Sequence, residues 1–310
     1  LSRNISIAGD HHYYNVRAPK ANGFRAEAPT LMVKKTFTGA EPKRLIFIGD
    51  IHGSVKEFNR LLCTAKFKKD QDQVILVGDL VAKGPDSVAV VRRANQINAW
   101  AVRGNHDDRV IRWYEFLAGP GKGLSESELK SMESSGGLPY ADFKLGKDHY
   151  TIATQLTPED FAFLKTFPTI ISLPPPYTNW IVVHGGLDPS KPLMQQSAED
   201  IMITRNIDSS GPTSETKSGS AWFELWATKM ATLTQGGNSP TGGADIDFSK
   251  IQFEKVIYGH DAGRALQLHP LTKGLDSRCV YGGALTAFVL PGETTFSVTC
   301  PDYDGSVKDD

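Results

Sequence analysis

Cysteine is scarce in this chain, with Cys63, Cys279 and Cys300 the only three among 310 residues. None belongs to a CxxC pair, which argues against a cysteine-ligated zinc site and against a small disulfide scaffold. All three are expected to be ordinary buried or half-buried thiols. Long apolar runs are missing as well. No stretch approaches the roughly 18 residues that a membrane span requires, so no span is expected within the chain. Nor is either sign of charge in excess, since 34 Lys and Arg against 35 Asp and Glu leave a formal net charge of −1. No overall positive field exists to gather duplex nucleic acid or an anionic membrane, and an anionic substrate has to be drawn by local cations. Neither GxGxxG nor GxxxxGK occurs, which leaves dinucleotide-fold and P-loop readings without support.

What remains is ordinary globular composition, 40% hydrophobic and 22% charged, with length for one large α/β domain or two smaller ones. The first residue is Leu and not Met, as expected of a processed or trimmed chain with room for an upstream signal or anchor. Residues 1–43 are polar and irregular and read as a surface arm, with His11 and His12 side by side. Asn4-Ile5-Ser6 is a glycosylation sequon of a kind that chance supplies often.

From Arg44 a pattern emerges. Residues 44–49 (RLIFIG) predict a buried strand, and 54–67 place Val55, Phe58, Leu61, Leu62 and Ala65 on one helical face. A second buried strand is predicted at 73–78. Asp86 is placed to cap a helix running to about Gln96, and a third strand is predicted at 97–104. An amphipathic helix with Val110, Trp113, Tyr114 and Leu117 follows. Such alternation means βαβ units and a largely parallel sheet. Residues 119–155, rich in Gly, Ser and charge, read as a cap or insertion. Thr157-Pro158-Glu159-Asp160 opens another helix with proline in its first turn. Strands return at 179–185 and 254–260, and Pro291-Gly292 divides 280–300 into a hairpin. Residues 206–220 and 233–247 read as loops. Residues 44–300 form one domain with a short tail at 301–310.

Chemistry-bearing residues stand where the strands end. Asp50 and His52 follow the first, Asp79 the second, Asn105 and His106 the third, and His184 and His260 two later ones. In an extended segment Asp50 and His52 share a face. Parallel strands gather the residues beyond their carboxyl ends into one crevice, and glycine adjoins nearly every one of these positions. Carboxylate, amide and imidazole converging at five strand ends suit divalent metal ions. Two ions about 3.5–4 Å apart acidify a shared water and neutralise a phosphoryl group under in-line attack. This mixed donor set accommodates zinc, manganese or iron.

The motifs GDIHG (49–53), GDLVAKG (78–84), GNHD (104–107), HGG (184–186) and GH (259–260) resemble those of the calcineurin-like metallophosphoesterases of the phosphoprotein-phosphatase superfamily. The stretches 78–87, 103–109 and 275–288 look most like the diadenosine tetraphosphatase-like branch, which includes a fungal vacuolar endopolyphosphatase. The resemblance covers about residues 44–290. It implies a four-layer α/β fold, a central β-sandwich of mixed sheets flanked by helices. It also implies two divalent ions, zinc or manganese favoured over iron. Asp50, His52 and Asp79 would hold one, and Asp79, Asn105, His184 and His260 the other. His106 would protonate the leaving oxygen, a role imidazole fills near neutral pH. Lys83, Arg103 and Arg205 would hold phosphate, while of Arg92, Arg93, Arg109 and Arg112 most belong to solvated faces and one or two are candidates to line a groove for a long anion. The phosphoprotein phosphatases carry an aspartate at the position of Ala82 to orient that histidine; here either another carboxylate, Asp107 or Asp276, takes its place, or the substrate needs less acid help.

The activity so implied is hydrolysis of phosphoanhydrides, in polyphosphate, dinucleoside polyphosphates or capped RNA. The alternatives are a serine/threonine phosphoprotein phosphatase and an inactive metal-binding scaffold. The resemblance points to a vacuolar lumen, with cytoplasm the alternative.

Overall fold

A computed structural model describes residues 23–37, 41–234 and 253–305. The sequon, His11 and His12, and most of 233–247 lie outside them. Strand β2 (Arg44–Ile48) shows how the layers arise. Ile46 and Ile48 join one apolar cluster, while Leu45 and Phe47, pointing the opposite way, join another. A strand apolar on both faces has to be covered on both.

β2 lies parallel to β3 (Asp72–Leu76), and β3 to β4 (Trp100–Ala101). On its other edge β2 pairs antiparallel with β13 (Ala284–Leu290), which forms a hairpin with β14 (Thr294–Thr299). The sheet is therefore mixed, and β4 is far shorter than the predicted 97–104, because helix α2 (Ser87–Gln96) closes on Ile97 and the site loop takes over after Ala101. A second mixed sheet has the order β1 (Met32–Lys34), β5 (Ile170–Ser172), β6 (Trp180–Val182), β10 (Lys255–Tyr258), β12 (Thr272–Gly274) and β11 (Gln267–Leu268). Leu45, Phe47, Ile75, Val77, Val182, Ile257 and Phe288 fill the space between the sheets. Outside the first sheet pack α1 (Val55–Thr64), α2 and α3 (Asn105–Ala118), joined by α4 (Glu126–Ser135), α5 (Asp148–Gln155) and α6 (Pro158–Lys165). Outside the second lie α7 (Ala198–Ile203) and α8 (Trp222–Thr234), with Trp222, Phe223 and Trp226 buried against Tyr258. This is the expected four-layer arrangement.

Local chemistry fixes the helix starts. The Asp86 carboxylate accepts from Ala89 N at 2.9 Å. At α6, Thr157 and Asp160 form a reciprocal capping box with Pro158 in the first turn. Two polar segments carry more structure than their sequence suggests. Met32–Lys34 forms the edge strand β1. Within 206–220 lie β7 (Asn206–Asp208) and β8 (Gly211–Thr213), which with β9 (Ser220–Ala221) make a three-stranded sheet. Strands of two or three residues are too short to display alternation. No helix among the described residues is long and apolar enough to cross a membrane.

The cysteines correct the sequence reading. Cys279 and Cys300 form a disulfide across a separation of 21 residues, and Cys63 is free and exposed. The β13–β14 register sets Ala284 opposite Thr299 and thereby brings the hairpin's flanks together. Cys300→Ser is expected to lower unfolding free energy by about 2–4 kcal/mol. Denaturant titrations of both proteins, with and without reductant, check this, and reductant should remove the difference.

Candidate metal centre

The sandwich delivers five strand ends to one crevice. Asp50 and His52 follow β2, and Asp79 follows β3. Asn105 and His106 open α3 just past β4. His184 follows β6, and His260 follows β10. Asp50 and His52 converge, but through a turn and not through extended chain, since His52 has φ +46°. Asp79, Ala82, Lys83 and His260 also occupy the left-handed region. For residues other than glycine this costs of order 1–3 kcal/mol each and marks sites where geometry outweighs stability.

Asp79 is the hub. Its carboxylate lies 3.6 Å from His52 Nε2 and 3.3 Å from His184 Nε2, and it accepts from His106 N at 2.9 Å. His184 Nε2 is also 3.2 Å from Asn105 Oδ1. Asp50 accepts from His260 N at 3.0 Å. Two glycines are required here. A Cβ on Gly104 would collide with the Asp79 carboxylate and amide, and one on Gly259 with the Asp50 carboxylate.

The donor set fits divalent ions on internal grounds. His52 Nδ1 meets Val81 O at 3.1 Å and His184 Nδ1 meets Val77 O at 2.8 Å. A carbonyl only accepts, so each Nδ1 carries a proton and each Nε2 is the nitrogen turned to the crevice, able to bind a cation in the neutral ring. His260 Nε2 is buried without a hydrogen-bond partner among the described residues. Lys83 Nζ, 3.3 Å from His52 Nε2, is a cation already drawn to this cluster. Ligand atoms of Asp79, His184 and His260 lie within 4.8 Å of one another, as do those of His52, Asp79 and His106.

Within the polypeptide alone, burial would raise Asp79, but His184, His106 and His52 prevail and hold it well below the usual carboxylate range. Burial likewise opposes protonation of His184, yet Asp79 and Asp50 lift it to about 9. Burial and the Lys83 charge push His52 down to about 4. Burial, with Asp276 and Asp79 nearby, raises Asp50.

The crevice opens into a cavity of about 400 Å³ whose lining includes Lys83, Arg109, Arg112, Arg205, Tyr140 and Tyr281. Lys83 Nζ lies over the Tyr281 ring at 5.3 Å. Arg205 donates to the carbonyls of Ser214 and His260 at the rim. Of Arg92, Arg93, Arg109 and Arg112, the two that face the cavity are Arg109 and Arg112, each paired with Asp142. Arg92 pairs with Asp160, and Arg93 with Asn59 and Gln96, away from it.

Three expectations change. Arg103 is 1% exposed and outside the lining, donating to Lys165 O and facing Asp108, which makes it a structural cation and not a phosphate ligand. The Asp107 carboxylate accepts from Leu80 N and Gly104 N as the N-terminal cap of α3, so it does not orient His106. Asp276 lines the cavity, but its carboxylate accepts from Arg278 N. The partner of His106 Nδ1 is His149 Nε2, at 2.8 Å. Nothing in the sequence singled out His149, because α5 lies in an irregular stretch without a motif.

Residues 43–264 match the family described as calcineurin-like phosphoesterase. The chain is 28% identical over 286 residues, 82% of its length and 95% of the other protein's, to the symmetrical bis(5'-nucleosyl)-tetraphosphatase of Dechloromonas aromatica. It is 25% identical over 264 residues, 79% of its length and 75% of the other's, to the zinc-dependent endopolyphosphatase of Saccharomyces cerevisiae. Among solved structures, that of a candidate diadenosine tetraphosphatase superposes with a TM-score of 0.62 at 30% identity, covering 88% of this chain and 99% of that one.

Asp79→Asn is expected to be the most damaging single ligand change, because a neutral amide bridges two cations poorly. Gly104→Ala should act through the same carboxylate by displacing it. Metal analysis of the purified variants should show fewer than two bound ions in each; two ions retained in Asp79→Asn would count against its bridging position.

Proposed function

The chain belongs to the calcineurin-like phosphoesterases, whose site is dinuclear, and we propose that it hydrolyses phosphoanhydride bonds in inorganic polyphosphate or a dinucleoside polyphosphate. The activities named for its relatives support this reading. The observation that carries it is the surroundings of His106. Residue 82 is a buried alanine, and a neutral imidazole stands at Nδ1.

Cleaving a phosphoserine expels an alkoxide, a poor leaving group that needs a well-supported acid. Cleaving an anhydride expels a phosphate, whose second pKa is about 6, so it departs with little proton help. A site without a carboxylate behind His106 favours the second reaction.

Asp50, His52 and Asp79 would hold one divalent ion, and Asp79, Asn105, His184 and His260 the other, with zinc or manganese the metals proposed. Such ions, when bound, neutralise the phosphoryl oxygens and make water a competent nucleophile at neutral pH. The protein's own groups position the chain of phosphates. Lys83, held by Asp148 through its backbone N–H, presents a compact ammonium that follows a flexible polyanion without imposing one bidentate pose. Arg205, Arg109 and Arg112 extend the cationic wall along the cavity, giving further phosphates somewhere to lie. The Cys279–Cys300 bond supports folding in an oxidising compartment, in keeping with a luminal and not a cytoplasmic location.

With the same metal, kcat/KM on tripolyphosphate or diadenosine tetraphosphate should exceed that on a phosphoserine peptide. Ala82→Asp should narrow the gap by helping the peptide more, and the left-handed backbone at 82 (φ +71°) accepts aspartate at least as well as alanine. A wild-type preference for the phosphopeptide would overturn the reading. Separately, His106→Asn should keep both metals while turnover falls by roughly 10²–10⁴; metal analysis beside steady-state kinetics distinguishes this from a ligand role.

A further inference from the structure

Helix α5 reaches the site through Asp148, which accepts from Lys83 N, and through His149, which meets His106. His149 is 5% exposed, its Nε2 is 2.8 Å from His106 Nδ1, and the rings are 5.0 Å apart and 18° from parallel. One proton lies between those nitrogens, and two arrangements provide it. If His106 donates, its Nε2 presents a lone pair toward the metal cluster and His149 carries its own proton on Nδ1. If His149 donates, His106 carries its proton on Nε2 and the Nδ1 of His149 is bare.

The surroundings of His149 separate the two. Its Nδ1 is buried without a hydrogen-bond partner among the described residues. Burial and the nearby charges of Arg109 and Arg112 keep the ring neutral, with its pKa pushed down to about 3, so it has one proton to place. An orphaned buried N–H is rare and costly. The Arg109 and Arg112 charges nearby are opposed by those of Asp79 and Asp142, so the missing partner at Nδ1 decides the matter. The proton therefore belongs on Nε2, between the rings.

We propose that His149 is a positioning residue that donates Nε2–H to His106 Nδ1 and fixes His106 as the Nε2–H tautomer. The cavity-facing nitrogen of His106 is then a hydrogen-bond donor to the leaving phosphate of an anhydride and not a metal ligand. A carboxylate in the place of His149 would impose the opposite. It only accepts, so Nδ1 of His106 would have to carry the proton, and Nε2 would donate only as an imidazolium. The inference rests on the anhydride reading for its use of the donor. Water oxygen bonds to phosphorus as the bridging P–O bond breaks. The electron pair stays on the departing phosphate, which accepts from His106 Nε2–H, and the proton of the water passes to solvent.

Imidazole ¹⁵N shifts of zinc-loaded protein with labelled histidine should show His106 with a pyrrole-like Nε2 and a pyridine-like Nδ1. The reverse pattern would overturn the proposal whatever the substrate proves to be, so this readout fails independently of the anhydride reading. His149→Phe, which keeps a ring but no donor, should lower kcat on tripolyphosphate roughly 10–100-fold, with KM within about threefold and zinc stoichiometry unchanged. His149→Gln, whose amide N–H can replace the lost donor, should restore kcat to within about fivefold of wild type. Equal losses in both variants, or loss of zinc from either, would overturn it. If His149→Phe does not fold, the wild-type shifts decide alone.

Discussion

A carboxylate with 1% exposure holds this site together. Asp79 lies at the end of β3, where burial by itself would drive it to the neutral form. It stays ionised because partners from separate strand ends surround it: His52 from β2, the His106 amide from the start of α3, and His184 from β6 in the other sheet. None of them is a sequence neighbour of Asp79. The sandwich must therefore assemble before the charge is compensated, and an error in the register of any one strand would leave a buried anion exposed to its full desolvation penalty. Divalent ions add to a compensation that the imidazoles begin.

The loops carrying these groups are tied to each other more than to the strands. Ile51 N and His52 N both donate to Asp79 O, at 3.2 and 2.9 Å, Gly53 N donates to Leu80 O, and Asp86 N donates to Gly53 O. The loops after β2 and β3 thus form one hydrogen-bonded body, and the cap of α2 is part of it. This body also holds four of the unfavourable backbone angles. His52, Asp79, Ala82 and Lys83 all lie inside that body, where the surrounding bonds over-determine their conformation. Between the sheets, Phe47, Ile75, Val77 and Phe288 make a dry layer under the loops, so little freedom remains for the ligands to drift.

The parts of this arrangement legible in the sequence are those with a local signature. Buried strands running into GD, GNH or HG announce themselves, because apolar period and ligand chemistry meet within a few residues. Asp86 and Thr157 announce helix starts for the same reason. His149 carried no such sign, since its role exists only once α5 packs beside α3. The pairing of Cys279 with Cys300 depends on hairpin register, which their spacing does not reveal. Arg103 is expected at the crevice only by resemblance, from its place before the GNH motif. Its side chain turns instead toward Asp108 and the Lys165 carbonyl, behind α3.

That burial of Arg103 bears on how the arginines beside the cavity are held. Asp108 lies between Arg103 and Arg112, and Asp142 between Arg112 and Arg109. Of these groups Asp108, Arg109 and Arg112 line the cavity, while Arg103 stays behind them. Each carboxylate holds its arginines in place and offsets part of their charge. A phosphate arriving there would meet donors that are already oriented, with little side-chain entropy left to lose. Arg112 is additionally stacked over Tyr140, 4.6 Å from the ring centroid, which fixes the plane of its fork. The segment between α3 and α6 supplies Tyr140 and Asp142 to this wall and His149 to His106. A stretch that reads as irregular in sequence thus shapes the side of the site that the metal-binding motifs leave open.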